Sequence, residues 1–322
     1  MTTVLLTDYA WPDDAVERAV IEGAGFTLKS GASAPAPAGE IEGLVRAHQP
    51  AAIMTCWARV SADAIAAAPS LRIVQRLGVG LDNIDVPAAT MRNVVVANVP
   101  DYCVEEVSDH AVGLALAWAR GIVAFDRSVK DGAWAPESAR LHRVRDLTVG
   151  IVGYGRIGSR TAEKFAPFGV RLLAQSPSYK GGHIAEAATL EDLLSASHIV
   201  VIHTPLTDAT HHLFDAERIA QMKPGAFLIN VSRGPVVDND ALLAALEAGH
   251  LSGAGLDVVE GEPSPPAAIV ARSDVIVTPH VAFSSGASLI ELRRRAAEEV
   301  VRVLRGEAAH FPCNDVRAGQ AQ

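Results

Sequence analysis

Cysteine is scarce: Cys56, Cys103 and Cys313 are the only three in 322 residues, and no two of them form a CxxC pair. An odd, scattered set excludes a disulfide framework and a thiolate-built zinc site, and it fits a reducing cytoplasm. Basic charge is short as well. Twenty-eight Lys and Arg stand against 37 Asp and Glu, a net charge of −9. The average field therefore repels nucleic acid and anionic membranes, and neither is expected as a partner. Any anion has to be met locally. Long apolar runs are missing too: the stretch from Ala111 to Phe125 contains Arg120 and falls short of the ~18 residues that a membrane span needs. It reads as one buried helix. The opening MTTVLLTDYAWPDD has no basic residues and is followed by acids, so it reads as a first strand and not as a signal peptide. Internal repeats of about 20 to 50 residues are absent.

What is present is an ordinary globular composition, 49% hydrophobic and 20% charged, which excludes disorder. The length suggests about two domains. Short β-branched runs alternate with Ala-rich helical segments, the pattern of βαβ units and parallel sheets. Strands are expected near Thr3–Leu6, Ala51–Met54, Ile73–Arg76 and Val94–Ala97 in a first block. A second block has them near Thr148–Val152, Arg171–Ala174, Ile199–Ile202, Phe227–Asn230, Gly255–Val258 and Val275–Val277. Ser30–Gly39, rich in Pro, Gly and Ala, reads as a surface loop. The segment Ser288–Arg305 places Leu289, Leu292, Ala296, Val300, Val303 and Leu304 on one helical face. Such a helix needs a partner surface, and a return to the first block would make that domain discontinuous.

After the strand LTVGIV comes Gly153-Tyr154-Gly155-Arg156-Ile157-Gly158, a GxGxxG leading into a helix over Ile157–Phe165. The first glycine permits the tight turn, the second lets a pyrophosphate approach the backbone, and the third lets the helix pack on the strand. The helix N-terminus offers free N–H groups and partial positive charge to the phosphates. The turn, including Arg156 and Ile157, is thus a dinucleotide site, and it supplies the local anion binding that the net charge does not. An acid that would take the adenosine ribose hydroxyl is expected about 20 residues on. Ser176 stands there instead, with no acid between Arg171 and His183. Ser176 can donate to a 2′-phosphate and Lys180 can supply charge, so NADP(H) is favoured over NAD(H). An NAD enzyme that forgoes the ribose contact is the alternative.

Three ionisable residues end successive β segments of the second block: Arg233 in NVSRGPVVD, Glu262 in GLDVVEGEP and His280 in TPHVAF. The carboxyl edge of a parallel sheet is where open α/β folds bind ligands. His211 and His212 are adjacent and cannot share the i, i+4 ligand geometry of a helix. They read as structural, and no metal is expected.

LGVGLDNID, NVPDYCVEEVSDHAVGLAL, LTVGIVGYGRIG, HTPLTDATHHL, MKPGAFLINVSRGPVVD, GLDVVEGEP and TPH together resemble, in order and over nearly the whole chain, the D-isomer-specific 2-hydroxyacid dehydrogenase family. VEE, THHL and SLIELRRRAAEEVVRVLRG are most similar to its branch containing the C-terminal-binding-protein corepressors and their bacterial relatives. The resemblance implies two Rossmann-like α/β domains with doubly wound parallel sheets. A dinucleotide-binding domain, 100–285, is inserted into a smaller flavodoxin-like substrate domain, 1–99 and 286–322. It implies hydride transfer between a nicotinamide and a 2-keto acid/D-2-hydroxy acid pair, in the cytoplasm. Arg233 would bind the substrate carboxylate and carbonyl, His280 would be the acid/base, and Glu262 would orient it. Val79 and Gly80 would hold the substrate carboxylate through backbone amides, Val79 also lying near the nicotinamide, with Arg76 a further substrate contact. Thr204, Pro205 and Thr210 would lie against adenine and phosphates, Val231 and Ser232 beneath the nicotinamide ribose, and His280 near the ring. Asp257 would accept from the carboxamide, or instead cap the next turn. Phe283-Ser284 replaces an aromatic pair of the corepressor-like branch, so Phe283 reshapes the substrate pocket. Cys56 and Trp57 either shape the pocket mouth or pack in the small domain's core. The family's homodimers imply an interface on Val104–Ala119 and the arm Asp126–Arg145. The alternative function is a cofactor-sensing, corepressor-like binding protein with secondary dehydrogenase activity.

Overall fold

The computed structural model describes residues 2–316, and these divide into two compact units. One runs to Tyr102 and resumes at Ser285; the other is Cys103–Ser284. Met1 and residues 317–322, which the sequence reading gives to the smaller domain, lie outside the described residues. In the first unit, β1 (Thr3–Asp8), β2 (Thr27–Ala32), β3 (Ala52–Thr55), β4 (Ile73–Arg76) and β5 (Val95–Ala97) form a parallel sheet in the order β2-β1-β3-β4-β5. This is the flavodoxin-like doubly wound order. The second unit has β6 (Thr148–Val152), β7 (Arg171–Gln175), β8 (Glu186–Ala187), β9 (Ile199–Ile202), β10 (Ala226–Asn230), β11 (Leu251–Leu256) and β12 (Val275–Val277), ordered β12-β11-β10-β9-β6-β7-β8. Its strand pairs are all parallel. Every residue of β3, β4, β6, β9 and β10 is buried. Strands covered on both faces by helices need continuous apolar runs, which is why AIMT and IVVI do not alternate.

Three expectations from the sequence are corrected. Ser30–Gly39 is not all loop: Ser30–Ala32 belong to β2, and Ala38 opens the helix Ala38–His48. β2 is an edge strand paired only with β1 and has one buried residue, so TLKSGA carries no apolar signal. Ala111–Phe125 is not one buried helix. Val104–Ala119 ends at Arg120, Gly121 turns left-handed at φ 62°, and the following helix Ile122–Lys130 buries no residue. β11 spans Leu251–Leu256 and not Gly255–Val258. Its LSGAGL lacks β propensity and is held by close packing, Gly255 lying where a Cβ would reach Leu114 and the Phe227 ring. The two-residue β8 gives no sequence signal and went unread.

The first unit is assembled from two distant chain segments by the helix Gly286–Leu304. Ser285 and Ser288 start it with a reciprocal capping box. Arg72 closes its other end, donating to the carbonyls of Leu304 at 2.8 Å and Val303 at 2.7 Å. Midway, Arg293 clamps the buried carboxylate of Glu17, on the helix Ala15–Gly23, through three contacts of 2.8–3.1 Å, and lies 5.2 Å over the Trp11 ring. Removing one partner of a buried pair strands the other charge without water or counter-ion. Arg293→Ala is therefore expected to cost about 3–5 kcal/mol in urea unfolding, while the double change Glu17→Met with Arg293→Leu recovers most of it. A single variant as stable as the parent would show that the pair does not hold the two segments.

Candidate active site

The chain of the second unit leaves β6 toward β7 on one side and returns to β9 on the other. The carboxyl ends of β6 and β9 therefore flank the crevice at the switch point of the sheet, where ligands bind in such folds. Gly153 ends β6 at φ 97°, and a Cβ there would come within 2.6 Å of the His203 and Thr204 backbone that ends β9. Nothing lies within 4 Å of the Cβ position of Gly155, so that face is open to a ligand. Gly155 precedes the helix Arg156–Phe165, whose first turn has no side-chain cap. Its N–H groups are left for an anion. Gly158 packs so closely on the Gly153 carbonyl that a Cβ would sit 2.1 Å away. This cradle has the shape and donors that a dinucleotide pyrophosphate requires.

Around it, Ser176 follows β7 and is half-buried, while Lys180 is exposed four residues on. Tyr179 bends back over this loop, its ring centroid 4.1 Å from that of Tyr154 in the glycine turn. The hydroxyl of Thr210 donates to the Pro205 carbonyl at 2.6 Å and accepts from the Thr207 amide at 2.8 Å, closing the loop that begins at Thr204. His203, unread in the sequence, supports the turn from behind. Thr161 donates to the Ile157 carbonyl at 3.0 Å, so its oxygen accepts the Nε2–H of His203, also at 3.0 Å.

At the ends of β10, β11 and β12 the structure brings the three ionisable residues onto interlocked loops. Asn230, 1% exposed, ends β10. Its Oδ1 accepts from the Ser232 amide and hydroxyl, and its Nδ2 donates to the Arg233 carbonyl at 2.8 Å. That fixes the turn through Val231, Ser232 and Arg233, whose Nη1 donates to the Ser232 carbonyl. Gly234 then presses on the next loop, its Cβ position only 2.3 Å from the Val259 carbonyl carbon. A side chain there would push the Arg233 turn off the segment leading to Glu262. Asp257, 2% exposed, spends its carboxylate on the loop after β12. It accepts from the Thr278 hydroxyl at 2.6 Å and from the amides of Val281 and Ala282, both at 2.9 Å. These hydrogen bonds are of the capping kind and leave Oδ2 with one donor among the described residues, the amide of Ala282. His110 adds a 2.9 Å hydrogen bond to Thr278. The loop so held presents His280 at φ 52°, with Nδ1 2.8 Å from Glu262 Oε1 and the Phe283 ring edge-on at 6.1 Å.

In the first unit, the buried carboxylate of Asp8, at the end of β1, takes the amides of Cys56, Trp57 and Ala58 at 2.6–3.0 Å. Trp57, half-buried, lies 5.9 Å beneath the Arg76 guanidinium, which donates to the Leu77 carbonyl. The Cys56 thiol is pushed up to about 12 by burial, so it is no nucleophile. Gly78 turns at φ 153° against the Arg76 guanidinium, and the Val79 carbonyl accepts from Asn98 at 2.6 Å. Gly80 follows on the same half-exposed loop.

Asn230, Asp8, His110 and His203 were not picked out in the sequence, although Asp8 and Asn230 both end apolar strand runs, where a lone polar residue is the available signal.

Residues 112–282 match the family model for the NAD-binding domain of D-isomer specific 2-hydroxyacid dehydrogenases. D-3-phosphoglycerate dehydrogenase of Mycobacterium bovis is 40% identical over 250 residues, 76% of this chain and 47% of its own length. The chain thus spans about half the length of the phosphoglycerate dehydrogenases it matches. Glyoxylate reductase of Thermofilum pendens is 38% identical over 263 residues, covering 77% of this chain and 76% of that one. Among solved structures, NADPH-dependent glyoxylate/hydroxypyruvate reductase of Sinorhizobium meliloti, in complex with NADP and malonate, has a TM-score of 0.85 at 29% identity over 99% of both chains.

Burial lowers the pKa of His203 from its ordinary 6.5 to about 3. Below pH 6.5 the unfolded chain takes up a proton that the folded one refuses, so the contribution of neutral His203 is full above 6.5 and declines with acid. Between pH 7.5 and 5.0 the protein should lose about 1–2 kcal/mol on this account. His203→Gln, measured by chemical unfolding at both pH values, is expected to lose less than the parent; an equal loss would refute the assignment.

Proposed function

The chain belongs to the D-isomer-specific 2-hydroxyacid dehydrogenase family, and on that premise we propose that it interconverts a small 2-keto acid and the D-2-hydroxy acid with a nicotinamide cofactor. The observation that carries this reading is the 2.8 Å contact between His280 Nδ1 and Glu262 Oε1. A carboxylate at Nδ1 accepts that nitrogen's proton, which leaves Nε2 to exchange a proton with substrate. Glu262 also meets the positive charge on the ring whenever both nitrogens are protonated.

The bound nicotinamide supplies or accepts the hydride. The protein's residues do the rest. Arg233, on the turn fixed by Asn230, would pair with the substrate carboxylate and carbonyl oxygen, a task for which its planar fork is suited. His280 would deliver a proton to that oxygen during reduction and remove it during oxidation. Asp257 would hold the His280 loop, with Oδ2 keeping acceptor capacity for a carboxamide. From the first unit, the amides of Val79 and Gly80 and the guanidinium of Arg76 would take the substrate carboxylate. Phe283, edge-on to His280, would limit the substrate side chain. The relatives that reduce glyoxylate or hydroxypyruvate place small keto acids first among substrates to test.

The cofactor assignment to NADP(H) rests on Ser176, Lys180 and the missing acid, and the Sinorhizobium relative's NADP complex supports it. Reduction is then the favoured direction. In this assignment residues 100–285 form the dinucleotide-binding domain, and the two flanking segments form the substrate domain. A homodimer through Val104–Ala119 and Asp126–Arg145 would cover the exposed Val129, at 47%, and Trp134, at 84%. The scattered cysteines fit a cytoplasmic setting.

With glyoxylate, hydroxypyruvate, pyruvate and phenylpyruvate, NADPH oxidation should be observed for at least one acid. His280→Ala should lower kcat by about 10²–10⁴-fold, and Arg233→Ala should lower kcat/KM by about 10²-fold. Both should keep cofactor affinity. No turnover by folded protein with either cofactor, or unchanged rates in the variants, would sink the reading. Ser176→Asp should move cofactor preference toward NADH by at least about 10-fold, because its carboxylate accepts from a ribose hydroxyl and repels a 2′-phosphate. An unmoved ratio would remove Ser176 from cofactor selection.

A further inference from the structure

Adjacent side chains on an ordinary extended or helical backbone diverge. His211 and His212 do not. The loop after β9 tightens on Thr207, whose carbonyl accepts from the amides of Thr210 at 3.0 Å and His211 at 2.9 Å. His212 then takes a left-handed φ of 48°, its amide tied to the Pro235 carbonyl at 2.8 Å. A non-glycine residue in this conformation costs about 1 kcal/mol or more. The result is that both imidazoles lie on one side of the loop, with ring centroids 4.0 Å apart.

The same side receives Glu260, from the loop after β11. His212 Nε2 is 2.9 Å from Glu260 Oε2, and the ligating atoms of His211, His212 and Glu260 all lie within 4.8 Å of one another. The other nitrogen of His212, Nδ1, is 3.7 Å from Asp238 Oδ2. Asp238 is itself fixed, its Oδ1 accepting from the amides of Asp240 and Ala241 at 2.9 and 3.2 Å. A carboxylate hydrogen-bonded to the far nitrogen of a histidine sets the tautomer that presents the near nitrogen to a metal ion, a role Asp238 takes once the 3.7 Å gap shortens to a hydrogen bond. The 2.9 Å contact of His212 with Glu260 accounts for two of these groups and does not involve the imidazole of His211.

We propose that His211, His212 and Glu260 bind a divalent cation of the zinc class, with Asp238 orienting His212. Two imidazoles and one carboxylate form a donor set that suits borderline ions such as Zn2+ and Co2+, water completing a tetrahedron. Ligand atoms in such a site lie ~3.3 Å apart, so side-chain rotations that shorten separations of up to 4.8 Å by up to about 1.5 Å close the cluster. Binding exchanges the proton shared by His212 and Glu260 for the cation and ties the loop that carries Thr210 to the segment that leads to Glu262. The site uses neither Arg233, Glu262 nor His280, so it stands or falls apart from the dehydrogenase reading.

Co2+ titrated into the untagged, chelator-treated full chain is expected to give visible d–d absorption saturating at one equivalent, abolished by Zn2+, and Zn2+ should raise Tm. His211→Ala and Glu260→Gln, each checked for unchanged circular dichroism, should weaken Co2+ binding at least about 10-fold. Cys313→Ser, a control for adventitious thiolate binding, should bind as the parent does. Absence of stoichiometric binding, undiminished binding in His211→Ala, or loss in Cys313→Ser would each overturn the proposal.

Discussion

The carboxylate of Asp257 sits almost fully buried at the end of β11 and accepts from one hydroxyl and two amides of the loop after β12. Hydrogen bonds to a buried charge are worth about 1.5–3 kcal/mol each, and leaving such a group unsatisfied costs more. That requirement gives the loop one shape. His280 is carried in a left-handed conformation which an imidazole side chain does not choose unaided. Its contact with Glu262 is therefore a product of the buried acid on the neighbouring strand end, and the geometry at His280 is set before any ligand arrives.

The same economy recurs along the carboxyl edge of the second sheet. Gly153 lies against His203 and Thr204, and Gly234 against Val259 and Glu260, each at distances a side chain would not allow. Strand-end loops joined backbone to backbone have little room to move independently. A rigid edge of this kind suits chemistry in which an acid, a cation and a dinucleotide must keep fixed separations.

Much of this was legible in the sequence. Fully buried parallel strands such as IVVI and AFLIN announce themselves as apolar runs, and GYGRIG announces its turn because only glycine tolerates the contacts it makes. Arg233, Glu262 and His280 were singled out because each follows a β segment expected to end at the carboxyl edge of the sheet. The edge strand TLKSGA was missed because one exposed strand carries no hydrophobic pattern. LSGAGL was displaced because its stability comes from Phe227 and Leu114 and not from its own residues. The break at Gly121 was hidden by continuous apolar composition, since Ile122 is apolar but exposed and Val123 and Phe125 are only half-buried. The convergence of His211, His212 and Glu260 depends on one backbone dihedral and two loops distant in sequence, which spacing alone does not encode.

Two sheets of similar winding in one chain raise the question of why they are not equivalent as ligand platforms. At the switch point of the first sheet, between β1 and β3, three consecutive amides converge as they would on a phosphate, and Asp8 already occupies them. The chain supplies its own anion there. Those three amides are satisfied from within and are not available to a phosphate. Asp8 spends its charge instead on fixing Trp57 beneath Arg76, which turns a potential binding cleft into the foundation of a side-chain stack.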